Sequence, residues 1–221
     1  MLNRAGALLA ALLLLSSISL GQDGHFDFGL NAAAVFTNQS GGFGVTQSAT
    51  DGGGGFGTIG VRFHAKHSLV FNYGRMKNSQ VYQAGNNFHI LTDISEITGA
   101  YVFSPFRKGR FEPFVLAGGG ALRFYPRSTW VVLPPLANNV PNNIEINLNA
   151  ARQTQLAFLY GFGVDYRLPV ISRLALRLQY RGFLYKAPDF KIDASSGSAV
   201  SLFTGAKGHM AEPSLGLAFR F

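Results

Sequence analysis

Residues Gln155 to Tyr185 constrain this chain more than any other stretch. They read QLAFLYGFGVDYRLPVISRLALRLQYRGFLY. Leu156, Phe158, Tyr160, Phe162, Val164 and Tyr166 recur at every second position. Gln155, Ala157, Gly161, Gly163, Asp165 and Arg167 stand among the alternate ones. After a short connector with Pro169, Leu174, Leu176, Leu178 and Tyr180 alternate with Ala175, Arg177, Gln179 and Arg181. A period of two marks strands, and a short connector between two such runs marks an antiparallel hairpin. One face is large and apolar, the other small or charged. A soluble sandwich buries its large face against a second sheet. A transmembrane barrel turns that face to lipid and keeps small and charged groups inside. The hairpin fits the barrel.

The chain begins with a second recognisable segment. Arg4 precedes an apolar run from Ala5 to Leu15, followed by SSISLG. A basic start, a short apolar run and small residues make a secretory signal peptide. The run is too short for a membrane-spanning helix, which needs about 20 residues. Residues 1–21 are expected to be cleaved and residues 22–221 to form one barrel domain. No later segment is long and apolar.

Composition supports the same reading. Hydrophobic residues make 47% of the chain and charged residues only 14%, against about 25% in soluble domains. The 20 Phe, 8 Tyr and 27 Gly suit lipid-facing strands with aromatic girdles. There is no cysteine, so neither a disulfide nor a thiolate metal site is available. The net charge is +8, but Lys and Arg are scattered singly. No nucleic-acid partner is expected.

Taken in order, the alternation predicts strands near 26–36, 57–63, 69–73, 92–103, 113–124, 155–167, 174–181 and 212–221. The connections between them alternate long and short. Long loops are expected over 37–55 (with DGGGG), 75–91, 125–153 and 186–207, and the turns HAKHS and SPFRKGRFEP are short. Barrels of this kind keep short turns in the periplasm and long loops outside. The expected fold is all-β: an eight-stranded antiparallel up-and-down transmembrane β-barrel. In the fifth strand, Phe114, Leu116, Leu122 and Phe124 are read as one face, with Arg123 on the other, inward one. Trp130 is placed in a long outer loop.

The motifs PFVLAGGGALRF, GFGVDYRL with RLALRLQYR, and the terminal SLGLAFRF resemble the OmpA-like and OmpX-like eight-stranded outer-membrane barrels. The resemblance implies a location in the cell outer membrane of a Gram-negative envelope. It further implies contact with outer-membrane lipid and lipopolysaccharide. It also implies an assembly signal at Leu217, Phe219 and Phe221, read by the barrel-assembly machinery. OmpA-type proteins often continue into a peptidoglycan-binding domain. This sequence ends on its last strand, and that activity is not expected of it.

Inward charges are the candidate interior site. A polar network is expected from Arg62, Glu96, Arg123, Asp165, Arg177, Gln179, Arg181, Glu212 and Arg220, with Arg167 inward and Asp27 near one end. An eight-stranded barrel is just wide enough for side chains to fill, and an unpaired buried charge is costly. Either these residues pair, or they line a narrow pore. Tyr73, Tyr101, Phe114, Phe124, Tyr166, Tyr180 and Phe221 are read as girdle residues. Some small barrels act on lipid A with a Ser/His/acid set. None of His25, His64, His67, His89 and His209 has a Ser and an acid at strand spacing on one face. No catalytic, cofactor or metal site is assigned. The expected function is a non-enzymatic structural or surface-interaction role through the long loops. The alternatives are a small solute pore and a lipid A-modifying enzyme. A soluble lipocalin-like barrel would invert the faces, and the composition opposes it.

Overall fold

A computed structural model describes residues 26–84, 86–132, 143–146, 151–193, 199–201 and 204–221. The expected leader lies outside them. The strands are β1 (Phe26–Thr37), β2 (Ser40–Gly42), β3 (Val45–Ala49), β4 (Gly52–His64), β5 (His67–Ala84), β6 (Asn86–Phe103), β7 (Phe111–Val132), β8 (Asn143–Ile146), β9 (Gln153–Arg167), β10 (Leu174–Lys186), β11 (Lys191–Asp193), β12 (Ala199–Ser201) and β13 (Lys207–Arg220). Eight of them close a ring: β1, β4, β5, β6, β7, β9, β10, β13 and back to β1, antiparallel throughout. Closure leaves the ring no free edge. This is the expected up-and-down barrel.

The stagger of the ring follows from the register. From Ala32, one row passes Gly55, Arg75, Ser95 and Arg123 to Thr154. The other way round, it passes Leu215 and Leu178 to Val164. The two ends meet β9 ten residues apart (164 − 154 = 10). Such a shear tilts the strands by roughly 35–45° and fixes a width that side chains fill.

Faces follow the alternation on most strands. Phe28, Leu30, Ile59, Phe71, Phe158, Phe162, Leu176, Leu178, Leu215 and Leu217 are exposed on the outside. Asp27, Asn31, Thr58, Asn72, Thr98, Gln179 and Ser214 are buried inside. A closed barrel with an apolar outer belt and a polar core is stable in lipid, where every backbone group must be satisfied within the protein. Backbone bonds tie both ends of the described chain together, Phe221 N–H donating to Phe26 C=O at 3.0 Å.

The long connections are more ordered than their composition indicates. Gly52 to Gly55, expected in a loop, belong to β4. A Cβ on Gly52 or Gly54 would lie 2.1 Å from the carbonyl oxygen of Lys77 or Arg75, so only glycine permits this approach of β4 to β5. Residues 75–84 and 86–91, also expected as loop, are strand: β5 and β6 pair from His67↔Phe103 to Ala84↔Asn86. β7 runs on to Val132 and takes Trp130 with it, its backbone paired to His89 and Glu145. The hairpin β2–β3 pairs onto the upper part of β5. β5, β6 and β7 have 18, 18 and 22 residues, whereas a spanning strand needs about 9–11. Part of the wall therefore stands beyond the rim on the long-loop side.

Candidate functional site

The lumen holds three layers. At the short-turn end, Asp27, Glu112 and Asp165 meet Arg62, Arg177 and Arg220. Arg177 holds Asp165 through two bonds of 2.8 Å. Arg220 reaches Asp165 at 2.6 Å and Glu112 at 2.7 Å, and Asp27 at 3.4 Å. Arg62 bridges Glu112 at 3.1 Å and Asp27 at 3.6 Å. Arg107 and Arg167 close on Glu112 from the rim at 2.9 and 3.5 Å. Bidentate Arg–carboxylate pairs of this kind fix geometry as well as charge. The space left among these residues is about 20 Å³, on the order of one water position.

In the middle, Arg181 is buried with Glu96 and Glu212. Its two terminal nitrogens donate to Glu96 Oε1 and Oε2 at 3.0 and 2.7 Å. Its Nε donates to Glu212 Oε1 at 3.0 Å, and Nη2 also bonds that oxygen. The guanidinium lies 3.5 Å over the Phe56 ring, within cation–π range. Thr98 donates to Glu96 at 2.6 Å, Asn72 to Thr98 at 3.1 Å and Thr58 to Asn72 at 3.0 Å. This chain joins β4, β5 and β6 below the triad.

Above it the lumen is mostly apolar, with one buried amide cluster in which Gln47 donates to Gln80 at 2.7 Å and Gln80 to Asn78 at 2.9 Å. Met76, Ile94, Leu122, Phe124, Leu159, Phe183 and Met210 are buried there. The segment 187–190 folds into the mouth. Phe190 is buried edge-on to Tyr82, with ring centroids 6.0 Å apart, and Tyr82 donates to the Pro188 carbonyl at 2.9 Å. Asp189 N–H donates to Gln153 at 2.8 Å.

Of the residues singled out in the sequence, Glu96, Asp165, Arg177, Gln179, Arg181, Glu212 and Arg220 lie in the lumen, with Arg62 partly open at its end. Arg123 does not. It is exposed on the outer wall, because β7 has the opposite phase to the one expected. Phe114, Leu116, Leu122 and Phe124 point inward, and Val115, Ala117 and Arg123 point out. Phe114 and Phe124 are thus core rather than girdle: Phe114 underlies Arg177 at 5.1 Å and Phe124 packs on Tyr185 at 5.7 Å. The same phase brings Glu112 inside as the hub of the lower network. The alternation contained it, two residues before Phe114, once the phase was set.

The other aromatics expected as girdle stand on the outer wall. Tyr73, Tyr101 and Phe221 are exposed, and Tyr166 lies 4.9 Å from Phe111. Leu217 and Phe219 share the outer face of β13 with Phe221, the two Phe rings being 4.7 Å apart. Among the histidines, His67 bonds Tyr101 at the short-turn end. His209 bonds Tyr160 at 2.7 Å and Asn38 at 3.3 Å on the opposite side. Among the described residues, no three of His, Asp and Glu gather as a metal site would require.

The solved structures carry the comparison. No family model matches the chain, and no curated protein matches it in sequence. The outer membrane protein OprG from Pseudomonas aeruginosa superposes with a TM-score of 0.53 at 12% identity, over 91% of this chain and 98% of that one. A major outer membrane protein from Thermus thermophilus gives 0.53 at 16% identity, over 89% and 99%. The chain has the fold of the eight-stranded outer-membrane barrels. Its lipid-facing belt and closed backbone are those of a transmembrane β-barrel.

Proposed function

We propose that this chain is a sealed outer-membrane barrel whose role is structural or surface-interacting, exercised at its long-loop end and without catalysis. One observation carries the reading: the lumen is filled along its length by the Arg–carboxylate network, the Arg181 triad and an upper plug of apolar side chains and the Gln47–Gln80–Asn78 amides, capped by Phe190. With Arg123 outside and Glu112 inside, the inward arginines stand paired with carboxylates rather than lining an open path. What remains for recognition is the wall of β5, β6 and β7 beyond the rim, with β2–β3 laid against it. A leader over residues 1–21, a barrel over 22–221, and use of Leu217, Phe219 and Phe221 by the assembly machinery belong to the same proposal.

Proteoliposomes test it. Swelling in small sugars and amino acids is expected to equal that of empty liposomes. Swelling at a rate set by solute size would overturn the sealed reading.

A further inference from the structure

Two features of the outer wall meet at Tyr73 and Arg75. The first is a groove of about 710 Å³. Its floor is Ala32, Gly55 and Gly57, where β1 and β4 present almost no side chain, and Leu30 and Leu215 bank it. The second is a recess of about 650 Å³ directly above, lined by Arg75, Lys77, Arg123, Arg127 and Arg152. Asp93 is the one carboxylate among the residues lining it, and it is already held by Arg127. Arg152 lies over the Tyr125 ring at 5.5 Å, and Arg75 donates to Tyr73 at 3.4 Å.

The position of these cations is what needs explaining. Arg75, Ser95 and Arg123 share one register row, and Lys77, Asp93 and Tyr125 the next. Arg75 and Arg123 are two strands apart, about 10 Å between backbones. Below Arg75 on the same face come Tyr73, Phe71 and Leu69, all exposed and apolar. The cations thus begin where the lipid belt ends, and they face the lipid side of the wall rather than the lumen. The groove descends from them: Arg75 pairs with Gly55, and Tyr73 with Gly57 one step deeper in the belt.

We propose that this wall binds a phosphorylated lipid of the outer leaflet, of lipid A chemistry, with its phosphate among Arg75, Lys77 and Arg123 and one acyl chain along the glycine-floored groove. A phosphomonoester carries nearly two negative charges and three acceptor oxygens, and guanidinium groups match its geometry bidentately. A phosphodiester headgroup offers less charge to the same cluster. The proposal rests on the barrel standing in an outer membrane.

Native mass spectrometry of protein in nanodiscs holding equal lipid A, phosphatidylglycerol and phosphatidylcholine reads the retained lipid. Two variants separate the parts. The double variant Arg75→Gln/Arg123→Gln removes charge. Gly57→Leu puts a side chain into the groove at a position where a Cβ has nothing closer than 3.9 Å. A heat-shifted gel band first establishes a folded barrel in all three proteins. The expected result is preferential retention of lipid A by wild type, reduced about tenfold by the double variant and by a smaller factor by Gly57→Leu. Equal retention of lipid A and phosphatidylglycerol by wild type, or retention unchanged in both variants, would overturn the proposal. A wild-type protein with no heat shift would instead bring down the barrel reading beneath it.

Discussion

Arg181 sits where three strands depend on one side chain. Glu96 on β6 and Glu212 on β13 both accept from it on β10, and all three are buried. Replacing Arg181 by Met leaves two carboxylates unpaired in a closed lumen, and removing one partner of a buried ionic set costs about 3–5 kcal/mol. Urea unfolding in lipid vesicles is expected to show that loss. Glu212→Gln behaves differently. The triad holds one cation and two anions, so this change leaves a neutral, bidentate Arg181–Glu96 pair. Stability is expected to move by less than about 1 kcal/mol. A cost equal to that of Arg181→Met would mean that both carboxylates are needed as charges. The triad members were legible as inward polar positions on alternating strands. Their partnership was not, because it joins β6, β10 and β13 through the lumen, and period-two spacing carries no information about which strands face each other.

At the scale of the element, β7 shows the limit of reading faces by size. Its outer face is Val115, Ala117, Gly119 and Ala121, and its inner face carries Phe114, Leu116, Leu122 and Phe124. Lipid accepts small aliphatic groups as well as large ones. The lumen needs bulk, because Gly163 on β9 and Gly208 on β13 carry no side chain and the rings of Phe114 and Tyr185 lie where a Cβ would be, at 2.5 and 2.9 Å. So the larger set marks the core on this strand and the belt on the others. Leu122→Arg is expected to cost about 3–5 kcal/mol and to abolish the heat-shifted band. Arg123→Leu is expected to leave the band intact. The reverse pattern would restore the phase expected from sequence. Leu176→Arg, on the outer face of β10, is expected to cost roughly 2–4 kcal/mol if it stands at mid-bilayer, measured by the same unfolding.

For the whole molecule, the eight barrel strands and their closure were legible in the sequence, whereas the expected long loop over 75–91 was not a loop, since β5 and β6 pair as far as Ala84↔Asn86. The height of the wall was not legible. Beyond Tyr73 the outer face of β5 turns to Arg75 and Lys77, because lipid no longer constrains it, while Met76, Asn78, Gln80 and Tyr82 stay buried. With both faces free of the lipid rule, the stretch reads as a polar loop although it is paired strand. Replacing residues 79–91 by an Asn-Gly turn between Asn78 and Thr92, which already face each other, shortens the hairpin at a favoured two-residue connection. The truncated protein is expected to keep its heat-shifted band and its lipid-facing belt. Loss of the band would show that the projecting wall is part of the barrel's stability rather than a surface added to it.

The central claim is that the lumen is sealed, and single-channel recording in a planar bilayer addresses it most directly. Folded protein, identified by its heat-shifted band, is expected to insert and give no conductance steps across a wide voltage range. Discrete, reproducible steps from that folded form would contradict the account and return the lumen to the role of a pore.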